Sequence, residues 1–574
     1  MKLDRPLRAA LVLLVSTLAG CGSGGSPPTS SSAAPSAAAA PQPLWGVPPN
    51  TRPLPLPEKG KTYNNPQPRD NVKEGGSLTI PIPELRVNWN TFSADGHSAY
   101  VDGVYTWLAP LLWNYSITGG VTPNPDYLLS SELVSQNPET VKFTLNPDAK
   151  WNDGTPIDWK TFEVTWKTQS GEDSRYNPAS TVGYSSIASV AKGEKPNEVI
   201  VTFKEPFYPY EYLFFNLTHP KNADPTFFKT GWVNDLHPEL LAGPFTVDSF
   251  SEDRLVLKRN PKWWGATAKL EQVTYLQMES QASINAFQNG EIDATGVGTA
   301  DRLKQVSGMQ HVQFRRGFAA STAVYTMGRD SELFKDEVAR RAFVLGTDRE
   351  LLVKINYQGI DWKEEPPGSV MMFPWEDGYM DNMADLHYDP KQAAKILQDA
   401  GWVLESDGFR HKNGKLAEFT YVTFGDDPTT AALARAQQKM SQDIGLKMNI
   451  ETRKSSDFSA TLTRGNYDVV IMGWSSTDPF GYVQGCQIFC SDSESNYSRL
   501  GNKALDERLS KPGTIPDRAQ AVAALNAAET DALHLFGTFP LFAGPADIVV
   551  KEGLANYGPV GFATPDRKNV GWQK

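Results

Sequence analysis

The chain has 574 residues, of which 40% are hydrophobic and 21% are charged. This length exceeds one ordinary hydrophobic core, so at least two lobes are expected, and the composition excludes a coiled coil, a wholly disordered chain and a multi-span membrane protein. The net charge of −11 argues against a nucleic-acid binder, whose affinity depends on Lys and Arg, and 3 Cys cannot support a disulfide-rich scaffold.

The N-terminus has the pattern of a secretory signal peptide over residues 1–20. Basic residues precede an apolar run, 9–19, that is too short to span a bilayer as a stable helix. The string Leu-Ala-Gly-Cys, which ends at Cys21, resembles the lipobox of bacterial lipoproteins, where cleavage occurs before a lipid-modified cysteine. We therefore predict lipidation of Cys21. An ordinary secreted protein with an incidental cysteine is the alternative.

Residues 21–74 are predicted to form a tether, because Ser, Ala, Pro and Gly dominate them and no apolar periodicity is present. Such a segment cannot bury enough surface to offset the entropy of ordering. The sequence has no further apolar segment of spanning length, so we expect the body to lie on the extracytoplasmic face of the cell membrane, held there by the lipid on Cys21.

Two hairpins are predicted in the first half of the body. In "WNDGTPI", residues 151–157, Asp153 and Gly154 occupy a position where a tight turn needs a positive φ. In residues 243–260, two alternating segments flank a polar Ser-Glu-Asp turn. Both motifs are interpreted as architecture and not as chemistry.

The second half contains the signature of an α/β domain. Asp389 is a natural N-cap for a helix that Gly401 ends. Residues 418–424 then predict a strand, 427–445 a helix and 446–450 a second strand, which together form a βαβ unit with parallel strands.

The apolar run 467–472 predicts a central buried strand that leads into the loop 473–479. Ligands of open α/β sheets lie at the carboxyl ends of the strands, so this loop is a candidate binding site by position alone.

Cys486 and Cys490 remain as an even pair if Cys21 is acylated. In an oxidising compartment they predict a disulfide that shapes a local turn more than it stabilises the fold. A thioredoxin-like redox pair would need C-x-x-C spacing, and a metal pair would need nearby His; both alternatives are weaker.

Eight strings in fixed order resemble the large solute-binding proteins of peptide, nickel and oligosaccharide ABC importers, called extracellular solute-binding protein family 5. Each string alone is explained by a hairpin or a capped helix, but eight in order leave little room for chance. They occupy residues 75–80, 151–157, 243–265, 284–294, 334–352, 388–402, 444–450 and 467–479.

The resemblance implies an α/β, two-lobed, periplasmic-binding-protein-like fold of type II, in the large three-domain variant, with a hinge and a ligand cleft between the lobes. By motif order, lobe one covers residues 75–321, with an inserted subdomain at about 104–241. Lobe two covers 322–539, and residues 540–574 return to lobe one.

In the peptide-binding branch of the family, an Asp three residues after the Gly-Trp pair binds the ligand's α-ammonium. Here that position holds Thr477, and Asp478 follows it. The alternative is that Asp478 and Pro479 match the Asp-Pro pair that comes farther along in that branch. If Asp478 reaches the cleft, a peptide fits; otherwise a saccharide, a capped peptide or another amphiphile is favoured. The predicted ligand-binding residues are Asn88, Trp89, Asn90, Trp113, Tyr115, Phe424, Trp474, Ser475, Ser476, Thr477, Asp478 and Phe480. For the aromatic members, a place in the core is the alternative.

The resulting hypothesis is a monomeric, lipid-anchored receptor that captures an oligopeptide-like solute and delivers it to ABC permease subunits with cytoplasmic ATPases. No catalytic motif, metal-ligand spacing or cofactor is found in the sequence, so no enzyme activity is expected. The alternatives are a regulatory or envelope-biogenesis lipoprotein that keeps the fold, and a binder of a saccharide or a metal chelate.

Overall fold

We describe the protein from a computed structural model, which covers residues 57, 58, 60–328, 330–476 and 478–574. All of these belong to one compact unit. The predicted signal peptide, Cys21 and the first part of the predicted tether lie outside the described residues. Within the described ranges, no helix combines the length and the apolar character needed to cross a membrane.

The last part of the predicted tether, residues 60–74, is attached to the folded body. Thr62 is buried, and its hydroxyl donates a hydrogen bond of 2.9 Å to the carbonyl of Pro559. Asn65 is also buried, and its amide donates a bond of 3.0 Å to the carbonyl of Leu554. The ordered body therefore starts earlier than residue 75. Polar side chains make these contacts, so no apolar periodicity signals them.

The strands are numbered along the chain. In the first half they are β1 Ser77–Ile82, β2 Trp113–Tyr115, β3 Val121–Pro123, β4 Leu128–Gln136, β5 Glu139–Leu145, β6 Ile187–Lys192, β7 Glu198–Phe203, β8 Phe245–Phe250, β9 Arg254–Arg259, β10 Gln272–Gln277 and β11 Ala294–Gly296. In the second half they are β12 Val312–Phe318, β13 Ser321–Met327, β14 Val403–Leu404, β15 Arg410–Lys412, β16 Lys415–Leu416, β17 Glu418–Phe424, β18 Lys447–Arg453, β19 Val469–Ser475, β20 Thr538–Phe542, β21 Pro545–Lys551, β22 Leu554–Ala555 and β23 Gly571–Trp572.

The α-helices of the described residues pack on the faces and edges of these sheets. They are α1 Ala99–Leu108, α2 Trp159–Gln169, α3 Ser280–Gln288, α4 Ala300–Val306, α5 Glu337–Leu345, α6 Arg349–Tyr357, α7 Pro390–Asp399, α8 Pro428–Asp443, α9 Phe458–Arg464, α10 Gly485–Phe489, α11 Lys503–Ser510 and α12 Arg518–Leu533.

The larger sheets are mixed or antiparallel. The first has the order β1-β10-β9-β8, and a separate antiparallel sheet, β4-β5-β7-β6, is formed by the segment between β1 and β8. A three-stranded sheet, β11-β21-β12, follows, and then a five-stranded sheet, β18-β17-β19-β13-β20.

The five-stranded sheet confirms the predicted α/β architecture. β17 and β18 are parallel and are connected by α8, and the predicted buried strand is β19, which lies at the centre of the sheet. Asp389 caps α7 by accepting a hydrogen bond of 2.8 Å from the backbone N–H of Gln392. Strong N-caps and apolar central strands are local signals, which explains why the sequence alone identifies them.

Both predicted hairpins are also confirmed. The backbone N–H of Trp151 donates to the carbonyl of Thr155 at 2.8 Å, and Gly154 has a φ of 95°. β8 pairs with β9 in antiparallel register.

The segment predicted as an insertion, at about 104–241, overlaps the second half of α1. Trp107 of α1 is fully buried and packs edge-on against Phe245 of β8, with ring centroids 5.1 Å apart. This contact fixes α1 to the first sheet. The helix is therefore part of the body that carries β1 and β8, and the separate sheet starts beyond it.

The chain passes twice between the three-stranded and the five-stranded sheet. β12 continues into β13 through residues 319–320, and β20 continues into β21 through residues 543–544. The carboxylate of Glu364 accepts hydrogen bonds from the backbone N–H groups of Ala543, at 2.9 Å, and Gly544, at 2.8 Å. One of the two connections is therefore held by a side chain from outside both sheets.

Candidate functional site

A cavity of about 510 Å³ lies where α1, the residues following β7, the carboxyl end of β19 and the C-terminal segment meet. Its volume falls in the range of roughly 300–1,000 Å³ that is usual for small-molecule sites. Two walls carry its chemistry. We call them the helix wall, formed by α1 with Arg567, and the loop wall, formed by residues 474–476 and 478–488.

The helix wall is small and polar. Ala99, Asp102, Gly103 and Thr106 line the cavity, and their spacing places them on one face of α1. A Cβ atom added at Gly103 would meet nothing within 4 Å, so no packing contact requires glycine there. Glycine inside a helix is less stable than alanine by about 1 kcal/mol. Gly103 therefore weakens α1 slightly and leaves open space in the cavity at this point.

Arg567 supplies the positive charge of the helix wall. Its guanidinium carbon lies 4.6 Å from the ring centroid of Trp107, and its Nε donates a hydrogen bond of 2.9 Å to Oγ1 of Thr106. Removal from water lowers the pKa of Arg567.

The loop wall continues from the end of β19. Trp474 lines the cavity and stacks on Tyr497, with ring centroids 5.9 Å apart and an interplanar angle of 20°. Ser475 and Ser476 also line it. The indole N–H of Trp474 is buried and has no hydrogen-bond partner in the described part of the chain. Oδ1 of Asn216, another lining residue, is likewise buried and has no partner among the described residues. Both atoms have almost no exposed surface, so they lie behind the lining and not on the open face of the cavity.

Asp478 lies in the loop wall, but the protein itself binds most of its carboxylate. Oδ1 accepts hydrogen bonds of 2.8 Å from the backbone N–H of Phe480 and from the side-chain amide of Gln484. Oδ2 accepts from the same amide at 3.1 Å. Burial raises the pKa of Asp478 to about 6, although these hydrogen bonds oppose the shift.

Cys486 and Cys490 are joined by a disulfide, the pairing that the sequence predicts. Between them, Gln487 and Ile488 line the cavity. The short cross-linked loop therefore carries part of the loop wall.

Asn88, Trp89 and Asn90 are not among the described residues that line the cavity. They are buried, and their polar atoms organise a loop: Nδ2 of Asn90 donates at 2.7 Å to the carbonyl of Phe228, and Nδ2 of Asn88 donates at 3.1 Å to that of Lys229. The next residues in the chain, Thr91 and Phe92, line the cavity instead.

Four aromatic candidates are not among the described residues that line the cavity. Trp113 is buried, and its indole N–H donates at 3.0 Å to a backbone carbonyl. Tyr115 and Phe480 pack on each other, with centroids 5.9 Å apart, and Phe424 packs on Phe458. These rings follow the core alternative that the sequence left open. Thr477 lies outside the described residues.

The sequence reasoning did not identify Gly103, Thr106, Asn216 or Arg567. Arg567 is 461 positions away from Thr106 in the chain, so only the fold brings the two together. The isolated glycine in an otherwise regular helical segment was the one local signal available for this wall. Among the described residues, no group of three or more His, Cys, Asp and Glu side chains is placed to hold a metal.

Comparisons with known proteins show the family of the chain and its fold. Residues 122–495 match the family described as bacterial extracellular solute-binding proteins, family 5, middle region. The Mycobacterium tuberculosis protein named oligopeptide-binding protein OppA is 30% identical over 518 residues, which cover 89% of this chain and 87% of that protein. Two solved structures share the fold. The periplasmic EDTA-binding protein EppA has a TM-score of 0.77 at 24% identity, and covers 91% of this chain and 100% of its own. The Bacillus subtilis oligopeptide-binding protein AppA, in complex with a nonapeptide, has a TM-score of 0.75 at 19% identity, with 88% and 100% covered.

Proposed function

The chain belongs to the bacterial extracellular solute-binding proteins of family 5, and we propose that it captures a peptide in the cavity and delivers it to the permease of an ABC importer. The family is one of binding proteins and not of enzymes. The protein therefore contributes selection and delivery, and the transport itself is driven by the permease and its cytoplasmic ATPases.

The 30% identity to a protein named oligopeptide-binding protein OppA carries the peptide proposal, and two buried polar atoms just behind the cavity lining support it. A buried polar group without a partner destabilises the protein by about 1–3 kcal/mol. The indole N–H of Trp474 and Oδ1 of Asn216 are both in this state. Once the two side chains rotate toward the cavity, a peptide main chain offers a carbonyl to the first and an N–H to the second, whatever its own side chains. Main-chain recognition suits a receptor whose ligands vary in sequence.

Closure of two lobes around the ligand follows from this function. The connections at 319–320 and 543–544 are where we place the hinge, and 322–539 is the proposed second lobe. Away from the hinge, the hydroxyl of Ser459 donates at 2.5 Å to the carboxylate of Glu84, on the loop after β1. Such side-chain contacts break and re-form more readily than a covalent connection, so they belong to the edge that opens.

We further propose that Cys21 carries the lipid that anchors a monomeric receptor on the extracytoplasmic face. In that compartment the disulfide between Cys486 and Cys490 is stable. Replacing Cys21 by Ala should release the protein from membranes into the soluble fraction. A variant that remains membrane-bound would show that the anchor lies elsewhere.

The peptide proposal is tested by purifying the protein without residues 1–56 and identifying by mass spectrometry what it releases on denaturation. We expect short peptides, and a peptide pool should raise the melting temperature of the emptied protein. Release of a saccharide or a chelate would change the ligand class. An empty protein whose melting temperature no peptide pool changes would contradict solute binding.

A matched pair of glycine variants ties the ligand to the cavity. Gly103→Leu places a side chain in the open space of the helix wall, and Gly308→Leu adds the same side chain where nothing lies within 4 Å and outside the cavity lining. We expect Gly103→Leu to lose the bound peptides while Gly308→Leu keeps them. Retention by both variants would place the ligand elsewhere.

A further inference from the structure

Arg567 is a partly buried cation that has no ion-pair partner among the described residues. Nε is satisfied by Thr106 and one face of the guanidinium is covered by Trp107, with Tyr557 farther away at 6.0 Å. No hydrogen bond from either Nη atom and no ion pair within 4.0 Å is present among the described residues. The nearest carboxylate in sequence, Asp566, binds the side-chain amide of Asn569 instead.

Other arginines removed from water are treated differently in this protein. Arg316 forms a two-pronged ion pair with Asp547, at 2.7 and 2.8 Å. Arg340 donates to the backbone carbonyls of Leu535 and Phe334, each at 2.9 Å. A desolvated guanidinium is unfavourable unless such acceptors surround it. Arg567 differs because its remaining N–H groups have no such acceptors among the described residues. It lines the cavity, where a ligand can supply them.

We propose that Arg567 binds the C-terminal carboxylate of the captured peptide. This inference rests on the proposed function and names the part of the ligand that the helix wall recognises. A guanidinium presents paired N–H groups that match the two oxygens of a carboxylate, and stacking on an aromatic ring fixes the plane of the fork. Trp107 and Thr106 hold two sides of Arg567, so its free edge is pre-oriented before a ligand arrives.

The two carboxylates that line the cavity do not replace this partner. Asp102 accepts a hydrogen bond from the hydroxyl of Thr91, and Asp478 is held by Phe480 and Gln484 in the loop wall. Neither forms an ion pair with Arg567 among the described residues. The acceptor that completes the guanidinium therefore comes from the ligand, which makes the receptor selective for peptides with a free C-terminus.

The test compares short alanine peptides, from tri- to penta-alanine, with a free or an amidated C-terminus, by calorimetric titration of the emptied protein. We expect the free acids to bind at least tenfold more tightly than the amides. A third arm uses the amidated peptides with one Asp in place of Ala. We expect no recovery of affinity there, and full recovery would overturn the assignment to the C-terminal carboxylate. Equal binding of acid and amide would overturn the inference and leave the proposed function intact. Failure of every peptide to bind the wild-type protein would overturn both.

Arg567→Gln should bring the affinity for the free acids down to that of the amides, and Arg567→Lys should give an intermediate value. Arg86→Gln is the matched control, because Arg86 also lies over an aromatic ring, Phe250, at 5.6 Å but outside the cavity lining. It should leave the preference unchanged. If Arg567→Gln does not fold, Arg567→Lys takes its place, and equal binding of acid and amide by the wild-type protein would still overturn the inference. A folded Arg567→Gln variant that keeps the preference would contradict the inference.

Discussion

The helix wall and the loop wall of the cavity each carry a charge, but they treat it in opposite ways. Asp478, in the loop wall, is surrounded by donors from its own loop. Arg567, in the helix wall, has a single hydrogen-bonded nitrogen among the described contacts and lines the cavity with the rest. The family pattern directs attention to the loop wall for ionic recognition, whereas the geometry shows that the unsatisfied charge is on the other side.

This difference affects how much binding energy a charged group of the ligand gains at each wall. A charge satisfied by the protein needs no ligand, and a ligand must compete with its present partners. A charge that lacks partners gains more from a ligand of opposite sign. The predictions below test which wall supplies the binding energy, from the largest expected effect to the smallest.

Trp474→Ala should have the largest effect, because it removes a stacked ring and the unsatisfied indole N–H from the loop wall. Loss of such an aromatic anchor corresponds to about 2 kcal/mol, or roughly 30-fold in affinity. Calorimetric titration with penta-alanine measures it. Trp402→Ala is the control: Trp402 bonds to Asp336 away from the cavity, so its loss should lower the melting temperature and leave the affinity unchanged.

Asp478 should make peptide affinity depend on pH. Its pKa is raised to about 6 from an ordinary value of 3.8. Between these pH values the carboxylate is ionised in the unfolded chain but still protonated in the folded, empty protein, so the folded protein loses stability as the pH rises. Binding of a ligand ammonium has the opposite dependence, because it needs the ionised form. Affinity should rise roughly tenfold between about pH 5 and pH 7 as the ionised fraction increases.

Asp478→Asn separates this effect from other titrating groups of the cavity. Phe480 can still donate to the side-chain oxygen of the Asn, so the loop should keep much of its structure. The affinity of the variant should be low and independent of pH. If the wild-type protein shows no pH dependence either, the ammonium does not lie at Asp478 and the helix wall carries the ionic recognition alone.

The sequence allowed the architecture to be predicted wherever the determinant was local. The cap at Asp389, the turn at Gly154 and the apolar strand β19 each follow from a few adjacent residues. The start of the ordered body was misplaced because Thr62 and Asn65 are held by partners almost 500 positions away. No local pattern encodes such contacts.

The site was predictable only in its loop wall. Trp474, Ser475 and Ser476 were found because they follow a buried strand, and the structure places them at the cavity. Asn88 and Asn90 are close in sequence to lining residues, but their side-chain amides donate to the carbonyls of Lys229 and Phe228. Arg567 belongs to the C-terminal segment, and its position depends on the return of the chain to the first sheet.

The disulfide gives a smaller test of the loop wall. Replacing both Cys486 and Cys490 by Ser should lower peptide affinity about fivefold, because Gln487 and Ile488 lose a fixed position and must be ordered on binding. The melting temperature should fall by only a few degrees, because so short a loop gains little from cross-linking. A reductant should lower the affinity of the wild-type protein and have no effect on the double variant. Unchanged affinity in both would show that the loop is held by other contacts.

Thr106→Val should have the smallest effect and is specific to the helix wall. It removes the oxygen that accepts the hydrogen bond of Nε of Arg567, while the side-chain volume stays nearly the same. Loss of this positioning contact is worth about 0.5–1 kcal/mol, or roughly two- to fivefold in affinity. The loss should appear for peptides with a free C-terminus and be absent for their amides, which a purely structural role of Thr106 would not produce.

Two variants serve as controls. Thr106→Ser should restore the difference in affinity between free acids and amides. Thr530→Val, which removes a hydroxyl from α12 outside the cavity lining, should leave that difference unchanged. An equal loss for acid and amide would mean that Thr106 shapes the wall without orienting Arg567, and the contrast between the two walls would then depend on charge alone.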